Sequence, residues 1–313
     1  MSNRKVIVTG ATSFIGMALI EKIRQDQQYG IIAVVAPDSL RKGNVPESDR
    51  VQIVESDMKD IDMIDVKDMD SVEIIYHIAW SSRFSNPRYN REGQLQNVDY
   101  LEKVIHLGRK VGCKKIMGIG SQAECGRVSE PITEATPNSP ENAYAAAKCY
   151  AYERGMSLCE KYGIDFYWPR ILSAYGPGDL RHTMIMSCLN AAVHKQKAEF
   201  TKCGQIWDYV YVGDVAEALI GIADRGVPGI KYTIASGQGK KLADYVAEIA
   251  EITDAPFLLE GIGKKEYIDG QVMYLVGDIS RLRKDTGFHP ATSFTKGICA
   301  TLEADFNFRA ELR

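Results

Sequence analysis

The first half of this 313-residue chain repeats one pattern, in which a short aliphatic run is followed by a segment of helical periodicity. In the first unit, the run 5–8 leads through a turn with glycine at positions 10 and 16 into the amphipathic segment 17–23. Similar runs follow at 31–35, 51–54, 73–78 and 115–119, and an aromatic run follows at 165–168. Strands that alternate with helices in this way form a parallel sheet covered on both faces. The sequence therefore predicts an α/β fold with a doubly wound, Rossmann-type parallel sheet.

The domain organisation follows from where this alternation stops. Two long helices are predicted at about 91–111 and 141–162, between the later strands. After Arg170 the pattern loosens into a turn-rich loop and shorter, mixed elements. We expect a nucleotide-binding Rossmann domain at 1–170, to which 206–235 returns. A smaller, mixed, substrate-binding part is expected at 171–205 and 236–313.

Composition excludes several function classes. The formal net charge of −3 gives no basic excess, so we expect neither a nucleic-acid partner nor binding to an anionic membrane. The seven cysteines lack C-x-x-C spacing, which favours reduced thiols and no metal site. No apolar run approaches the length of a membrane span, and no secretory leader is recognisable at the start. The expected location is cytoplasmic.

The stretch 142–150 carries the most specific chemistry. It is rich in alanine and lacks glycine and proline, so it should be helical. Tyr144 and Lys148 are four residues apart and then share one helix face. A phenol beside a fixed ammonium ionises more easily than a free phenol. Tyr144 is therefore a candidate acid/base for interconversion of an alcohol and a carbonyl, although this spacing also occurs in ordinary amphipathic helices.

The other candidate residues fall at the carboxyl ends of the predicted strands, where doubly wound sheets bind ligands. Gly10 follows the first strand, Asp57 the third, Ala79 the fourth, Ser121 the fifth and Arg170 the sixth. A helix that begins after a glycine turn presents N–H groups suited to a pyrophosphate. Each residue alone also fits a structural role in a turn or cap.

Taken in order, these motifs resemble the extended short-chain dehydrogenase/reductase family, also called the NAD-dependent epimerase/dehydratase family. The resemblance rests on T-G-x-x-x-x-x-G, Ser121 and Tyr144-x-x-x-Lys148, and on the segments 175–178 and 207–216 further along. It implies that Tyr144 is the acid/base, that Lys148 holds the nicotinamide ribose, and that Ser121 bonds the substrate oxygen.

From the resemblance and from the side chains near the predicted cofactor and substrate clefts, we expect two further sets of residues. The cofactor set comprises Gly10, Ser13, Phe14, Ile15, Gly16, Ser39, Arg41, Asp57, Met58, Ala79, Trp80, Tyr144, Lys148 and Arg170. The substrate set comprises Ser121, Gln122, Ser173, Arg181, Asn190 and Trp207. Trp80 stands where a smaller residue is usual, so core packing is an equal alternative for it.

The choice between NADP and NAD depends on the loop after the second strand. Ser39, Arg41 and Lys42 suit the 2′-phosphate of NADP, whereas Asp38 suits the free ribose hydroxyls of NAD. We favour NADP(H) from the sequence, with NAD as the alternative.

Among family members, the segments 76–80 and 120–124 most resemble nucleotide-sugar 4-ketoreductases of the CDP-abequose and dTDP-fucose type. The expected enzyme is therefore an NAD(P)-dependent oxidoreductase that reduces a 4-keto-6-deoxyhexose on a nucleotide. A nucleotide-sugar 4-epimerase is the alternative, followed by a reductase of a small carbonyl compound without a nucleotide. A cofactor-binding regulator is disfavoured because Ser121, Tyr144 and Lys148 are all present.

Dehydratases of the family carry an Asp-Glu pair directly after the active-site hydroxyl, where this chain has Gln122 and Ala123. Glu124 comes one position later and, on an extended segment, would point to the opposite face. The sequence therefore predicts no dehydratase activity.

The resemblance also implies a homodimer formed through the two long helices. Apolar candidates for that contact are Val98, Leu101, Ile105, Tyr150, Ala151, Met156 and Leu158, which serve the core equally well.

Overall fold

The structure is a computed structural model and describes residues 4–26, 28–46, 48–65, 72–81 and 86–308. Its strands are β1 (Arg4–Thr9), β2 (Tyr29–Val35), β3 (Val51–Glu55), β4 (Val72–His77), β5 (Lys115–Gly118), β6 (Gly120–Ser121), β7 (Asp165–Tyr167), β8 (Arg170–Ile171), β9 (Ser173–Tyr175), β10 (Ile206–Trp207), β11 (Tyr209–Tyr211), β12 (Thr233–Ile234), β13 (Lys240–Lys241) and β14 (Tyr274–Leu275). Its α-helices are α1 (Phe14–Gln25), α2 (Arg91–Lys110), α3 (Ala143–Tyr162), α4 (Met184–Val193), α5 (Val212–Arg225), α6 (Leu242–Ile252), α7 (Ser280–Thr286) and α8 (Phe294–Phe306).

The central sheet has six strands in the order β3-β2-β1-β4-β5-β7. All neighbours are parallel, and the order reverses between β1 and β4. Ligands of open parallel sheets bind at such a reversal, outside the carboxyl ends of the strands. The predicted Rossmann-type sheet is confirmed.

The two faces of the sheet are covered by different helices. Successive residues of β1 alternate between them, with Val6 and Val8 in the core layer under α1 and α5, and Ile7 in the layer under α2 and α3. On α1 the buried Leu19, Ile20 and Ile23 recur at helical spacing. Helices α2 and α3 also pack directly on each other, which brings the Tyr144 segment against the sheet.

The packing of α2 and α3 buries several of the residues that were expected at a dimer contact. Val98, Leu101, Ile105 and Ala151 are buried within the protomer, at 2% exposure or less. Of the apolar candidates, Tyr150 is half exposed, at 50%.

The C-terminal part consists of small sheets, and the carboxylate of one buried residue, Asp208, hydrogen-bonds to the segments between them. Strand β10 pairs with β13 and β14, whereas β11 pairs with β9 and β12 pairs with β8. Between β10 and β11, the fully buried Asp208 accepts hydrogen bonds from the backbone N–H groups of Ser236, Gly237 and Gly277, and from the Ser236 hydroxyl. Burial raises the pKa of Asp208, and these donors counteract the rise. One carboxylate thus joins three separate segments.

Two general features concern the chain's environment. None of the described helices is long and apolar enough to cross a membrane. All seven cysteines are free thiols, most of them buried.

Candidate active site

The turn between β1 and α1 is built for close approach of backbone. Gly10 has φ of 68°, and a Cβ on it would lie 2.7 Å from the Ala79 nitrogen. A Cβ on Gly16 would lie 2.3 Å from the Gly10 carbonyl oxygen, so both positions require glycine. Ser13 caps α1, because its hydroxyl accepts the Gly16 N–H at 3.1 Å. The start of this helix lies at the sheet reversal beside Ala79, an arrangement that fits the pyrophosphate of a dinucleotide. Phe14 is buried and Ile15 half-buried in the first turn of this helix.

The other cofactor candidates lie at the ends of β2 and β3. Asp57 is exposed, and its carboxylate caps the 3₁₀ segment Met58–Met63 by accepting the Lys59 N–H at 3.0 Å. Met58 packs against the core layer under α2. These two positions line the edge of the sheet where an adenine is expected.

The residues predicted to bind a 2′-phosphate are partly engaged with other groups. The Ser39 hydroxyl donates to the Thr12 hydroxyl at 3.2 Å, and Lys42 forms a 2.7 Å ion pair with Glu55. Arg41 is exposed in the same loop. Of the cationic groups at this edge, Lys42 is thus already paired with an acidic neighbour, Glu55.

Helix α3 begins where the sequence predicts, and its cap explains why. The Asn142 side chain accepts the Ala145 N–H at 3.0 Å, which fixes the first turn that carries Tyr144. One turn later, Lys148 is only 3% exposed and its ammonium donates to the Ile119 carbonyl at 2.6 Å. Ile119 precedes the Ser121 turn by two residues, so this bond ties the Tyr144 helix to that turn.

Aromatic and cationic groups surround this pair. The Lys148 Nζ lies 3.5 Å from the centroid of the Trp80 ring, and the Trp80 ring meets the Tyr144 ring edge-on at 6.3 Å. The Arg88 guanidinium lies over the Tyr144 ring, 4.9 Å from its centroid. Trp80 is therefore placed against the predicted catalytic pair.

His77 lies beneath the pair at the end of β4. It is buried and shares a 2.8 Å hydrogen bond with the Thr9 hydroxyl, whereas its Nε2 has no hydrogen-bond partner among the described residues. Burial lowers its pKa to about 3, and the Lys148 charge adds to the effect. His77 is thus a neutral imidazole at ordinary pH.

Ser121 starts a 3₁₀ turn, Gln122–Cys125, with reciprocal capping. Its hydroxyl accepts the Ala123 N–H at 3.2 Å and donates to Gln122 Oε1 at 3.0 Å. Glu124 Oε1 in turn accepts the Ser121 N–H at 2.7 Å. The turn packs against α3, so the sequence-predicted Ser121, Tyr144 and Lys148 come from adjacent elements.

Glu124 and Arg170 form a buried pair behind this turn. Both side chains are 0% exposed, and Arg170 Nε lies 3.2 Å from Glu124 Oε2. Arg170 also donates to the Thr136 carbonyl and to Asn138 Oδ1, and Glu124 Oε1 accepts the Trp168 indole N–H at 3.1 Å. Arg170 was expected to contact the cofactor, but its guanidinium is enclosed and supports the Ser121 turn instead.

The expected substrate residues are spread over the C-terminal part. Trp207 donates its indole N–H to the Ser173 hydroxyl at 2.7 Å, so these two form one unit. Arg181 is exposed before α4, and Asn190 is half-buried on α4. Within the described ranges, neither side chain hydrogen-bonds to Ser121, Tyr144 or Lys148.

Several residues of the site were missed from the sequence. Gln94 and Asn97 are buried polar residues on the inner face of α2, where Gln94 accepts the Trp80 indole N–H at 3.0 Å and Asn97 accepts the Ser81 N–H at 2.9 Å. Polar residues within an apolar helical stripe were the available signal. Nothing in the spacing of Arg88 indicated its place over Tyr144.

Comparison with known proteins gives one family. The sequence profile described as the NAD dependent epimerase/dehydratase family matches residues 6–235. A dTDP-glucose 4,6-dehydratase of Escherichia coli is 29% identical over 181 residues, which cover 55% of this chain and 50% of that protein. The chain thus spans about half the length of the curated dehydratases it matches. An uncharacterised UDP-glucose epimerase of Bacillus subtilis, YtcB, is 23% identical over 94% of this chain and 95% of its own length.

A solved structure extends the likeness across the fold. The UDP-glucose 4-epimerase of Thermotoga maritima, solved with UDP-glucose, superposes with a TM-score of 0.86. It is 20% identical, and the superposition covers 96% of this chain and 98% of the epimerase.

These relatives contradict the expectation that the chain is not a dehydratase, because dTDP-glucose 4,6-dehydratases are among the curated proteins it resembles. The prediction was wrong in its structural premise as well. It assumed an extended segment after Ser121, whereas Gln122–Cys125 is a 3₁₀ turn, on which a shift of one position does not reverse the face.

Proposed function

Since the chain belongs to the NAD dependent epimerase/dehydratase family, we propose that it transfers hydride at a carbinol or ketone carbon of a nucleotide-activated sugar, with Tyr144 as acid/base. The observation that carries the proposal is the bond from Lys148 Nζ to the Ile119 carbonyl, at 2.6 Å. It links the Tyr144 helix to the Ser121 turn at the carboxyl end of β5. A phenol, an ammonium and a hydroxyl beside one sheet edge are the groups that reversible alcohol oxidation requires.

The cofactor is proposed to lie along the carboxyl edge of β1, β2 and β4. The turn 10–16 would hold its pyrophosphate, Asp57 and Met58 its adenine, and Lys148 its nicotinamide ribose. Support comes from Gly10 and Gly16, neither of which has room for a Cβ. When bound, a nicotinamide cofactor supplies the acceptor and donor of hydride.

The chain's own residues then handle the proton and the substrate oxygen. Tyr144 takes the hydroxyl proton during oxidation and returns it during reduction. The Ser121 hydroxyl donates to the substrate oxygen in place of Gln122 Oε1, which it contacts at 3.0 Å. Lys148 is nearly enclosed, at 3% exposure, so its charge acts on Tyr144 with little screening by water.

We propose NAD as the cofactor. The family description, the 2.7 Å pair between Lys42 and Glu55, and the engaged Ser39 hydroxyl support this choice. Exposed Asp38 is available for the ribose hydroxyls. The NADP(H) preference indicated by the sequence stays a prediction. Comparison of kcat/KM for the two cofactors decides between them. If NAD is the cofactor, Lys42→Ala should raise kcat/KM with neither NAD nor NADP.

The substrate part is proposed as segments 171–205 and 236–313, together with Trp207. The unit of Ser173 and Trp207 would form one wall of the nucleotide-sugar cleft, with Gln122 near the sugar. Exposed Arg181 is available for a diphosphate, and Asn190 for a polar contact on the nucleotide side.

For the reaction itself we propose 4-epimerisation. In sequence, the uncharacterised UDP-glucose epimerase of Bacillus subtilis matches 94% of this chain, whereas the Escherichia coli dTDP-glucose 4,6-dehydratase matches 55% of it. The reduction of a 4-keto-6-deoxyhexose predicted from the sequence uses the same groups and differs in consuming the cofactor.

One experiment separates these outcomes. The protein is incubated with UDP-glucose, UDP-N-acetylglucosamine or dTDP-glucose and a catalytic amount of NAD, and products are read by NMR and mass. A C4 epimer without net change of cofactor supports the proposal. Loss of water from the sugar would identify a dehydratase instead. Stoichiometric loss of NADH or NADPH with a 4-keto-6-deoxy substrate would identify a reductase, and turnover only of small ketones would overturn the nucleotide-sugar proposal. Tyr144→Phe is the matched inactive control.

A further inference from the structure

Trp80 makes three specific contacts that core packing alone does not require. Its ring centroid lies 3.5 Å from Lys148 Nζ, within the range of a cation–π interaction. Its edge meets the Tyr144 ring at 89° and 6.3 Å. Its indole N–H donates to Gln94 Oε1 at 3.0 Å.

Gln94 fixes the orientation of the indole. It is 0% exposed on α2, so its amide is buried where a lost hydrogen bond is costly. With one edge held by Gln94, the ring presents its face to the ammonium. Trp168 lies farther from the same ammonium, at 5.5 Å, and is itself 1% exposed beside the rings of Tyr152 and Phe166. Trp80 is thus the ring that directly covers Lys148.

We infer that Trp80 is a positioning residue, which holds the Lys148 ammonium in place beside Tyr144 before any ligand binds. The inference rests on the proposed roles of Tyr144 and Lys148. Among its contacts within the described residues, the ammonium donates to the Ile119 carbonyl and lies against the Trp80 face. Removal of the ring frees the ammonium to move and admits water, and both changes weaken its effect on the Tyr144 phenol.

Other charged or titratable groups face this pair. The Arg88 guanidinium lies over Tyr144, 4.9 Å from the ring centroid. His77 lies below Lys148 and is neutral, because burial lowers its pKa to about 3. Arg88 and His77 stay unchanged in a Trp80 variant, but the Trp80 ring also meets the Tyr144 ring edge-on. The titration is therefore repeated with Lys148→Met in both the wild-type and the Trp80-variant backgrounds, and only the part of the Tyr144 shift that requires Lys148 reports on the ammonium.

The test is a titration that needs neither cofactor nor substrate. Phenolate absorbance is followed against pH for the wild type and for Trp80→Leu, and from each the curve of the same protein with Tyr144→Phe is subtracted. The difference reads Tyr144 alone among the 16 tyrosines. For Trp80→Leu we expect the midpoint to rise by about 0.3 pH unit, the size that Coulomb's law gives at an effective dielectric constant of about 20 when an ammonium that faced the Tyr144 ring at 5.8 Å moves about 1 Å away. Trp80→Phe keeps a weaker aromatic face and should lie between.

The titration includes a matched control and a second variant, which is used if Trp80→Leu does not fold. Leu95→Ala changes an exposed neighbour of Gln94 on α2 and should leave the midpoint where it is. If Trp80→Leu does not fold, Gln94→Leu releases the indole without removing it and should raise the midpoint by a smaller amount. An unchanged Tyr144 midpoint in a folded Trp80→Leu, or in Gln94→Leu when that variant replaces it, overturns the inference.

Turnover gives a second readout. With an accepted sugar substrate, Trp80→Leu should lower kcat on the order of tenfold with little change in KM, and Trp80→Phe should recover most of it. A merely structural tryptophan would lower the melting temperature without moving the Tyr144 midpoint, and that result also overturns the inference. If no nucleotide sugar is turned over, the proposed function fails while the titration still decides the role of Trp80.

Discussion

The buried pair of Glu124 and Arg170 should make the Ser121 turn unusually sensitive to loss of one charge. The perturbation is Glu124→Gln, which keeps the shape of the side chain. Its remaining carbonyl oxygen still accepts the Ser121 N–H and the Trp168 indole N–H, which both bond to Oε1. The amide nitrogen then faces Arg170 Nε, which was 3.2 Å from Oε2. The variant therefore leaves a guanidinium buried without its counterion.

The magnitude follows from that geometry. Breaking a fully buried ion pair by removing one partner costs about 3–5 kcal/mol. Because two of the three hydrogen bonds of Glu124 survive in Glu124→Gln, we expect a loss of about 3 kcal/mol in the free energy of unfolding. Glu124→Ala loses all three and should cost about 5 kcal/mol. An unfolding entropy of about 2.1 cal/mol/K per residue gives a chain of this length about 1.5 °C per kcal/mol, so Glu124→Gln should lower Tm by about 4–5 °C.

The assay is urea unfolding followed by circular dichroism, with Tm as a check. The m-value should stay constant while the midpoint falls. Glu130→Gln is the matched control, because Glu130 is exposed and its replacement should change stability by less than about 0.5 kcal/mol. A Glu124→Gln loss below about 1 kcal/mol would refute the reasoning. So would a double variant, Glu124→Leu with Arg170→Met, that is destabilised by the full sum of its single variants, since the two side chains are in contact.

Three further predictions concern the catalytic pair, a buried histidine and the assembly. Tyr144→Phe should lower kcat about 10²–10⁴-fold and leave the Kd for NAD nearly unchanged, because the ring stays and only the proton is lost; a variant that keeps more than about a tenth of the wild-type rate removes Tyr144 as the acid. The pKa of His77 falls from 6.5 to about 3 on folding, so the unfolded chain binds the extra proton between these values. The free energy of unfolding should then decrease as pH drops below 6.5, by up to about 1.4 kcal/mol per pH unit; His77→Asn should flatten this slope relative to exposed His289→Asn, and equal slopes would contradict it. The protein should be a homodimer by light scattering at micromolar concentration, and Tyr150→Asp, at the exposed position on α3, should favour the monomer; a monomeric wild type removes the dimer.

The strands and long helices could be predicted because their signals are local. Five runs rich in β-branched or aliphatic residues and one aromatic run, separated by helical segments, leave little choice of fold. The observed strands begin and end within two residues of the predicted ones. Tyr144 and Lys148 were placed correctly on one helix face by their spacing alone. The topology rule for parallel sheets then brought Ser121 to the same edge.

The turn after Ser121 was predicted incorrectly, although its signal was in the sequence. Ser121-Gln122-Ala123-Glu124 has the S-x-x-E pattern of a capping box, and the structure contains that box with both reciprocal bonds. An extended conformation after Ser121 does not take this capping signal into account. As a result, Glu124 was considered only as a catalytic group, and its bond to Arg170 was not anticipated.

The contacts of Trp80 and Arg88 could not be predicted from local pattern. Each depends on how the segment after β4 packs against α3, and that packing involves residues more than fifty positions apart. Side-chain positions set by such long-range contacts carry no periodicity in the sequence. The role of Trp80 was accordingly left open between cofactor contact and core.

The Asp208 carboxylate couples the local opening of two segments of the C-terminal part. Its carboxylate accepts the amide protons of Ser236, Gly237 and Gly277, which belong to two different segments. Those amides can exchange with solvent only when their bonds to the carboxylate break, and a fully buried carboxylate that loses one donor is left under-solvated. Breaking one bond therefore favours breaking the others. The three amides should then show nearly equal protection against deuterium exchange, and the loop around residue 236 and the turn at Gly277 should open as a single unit.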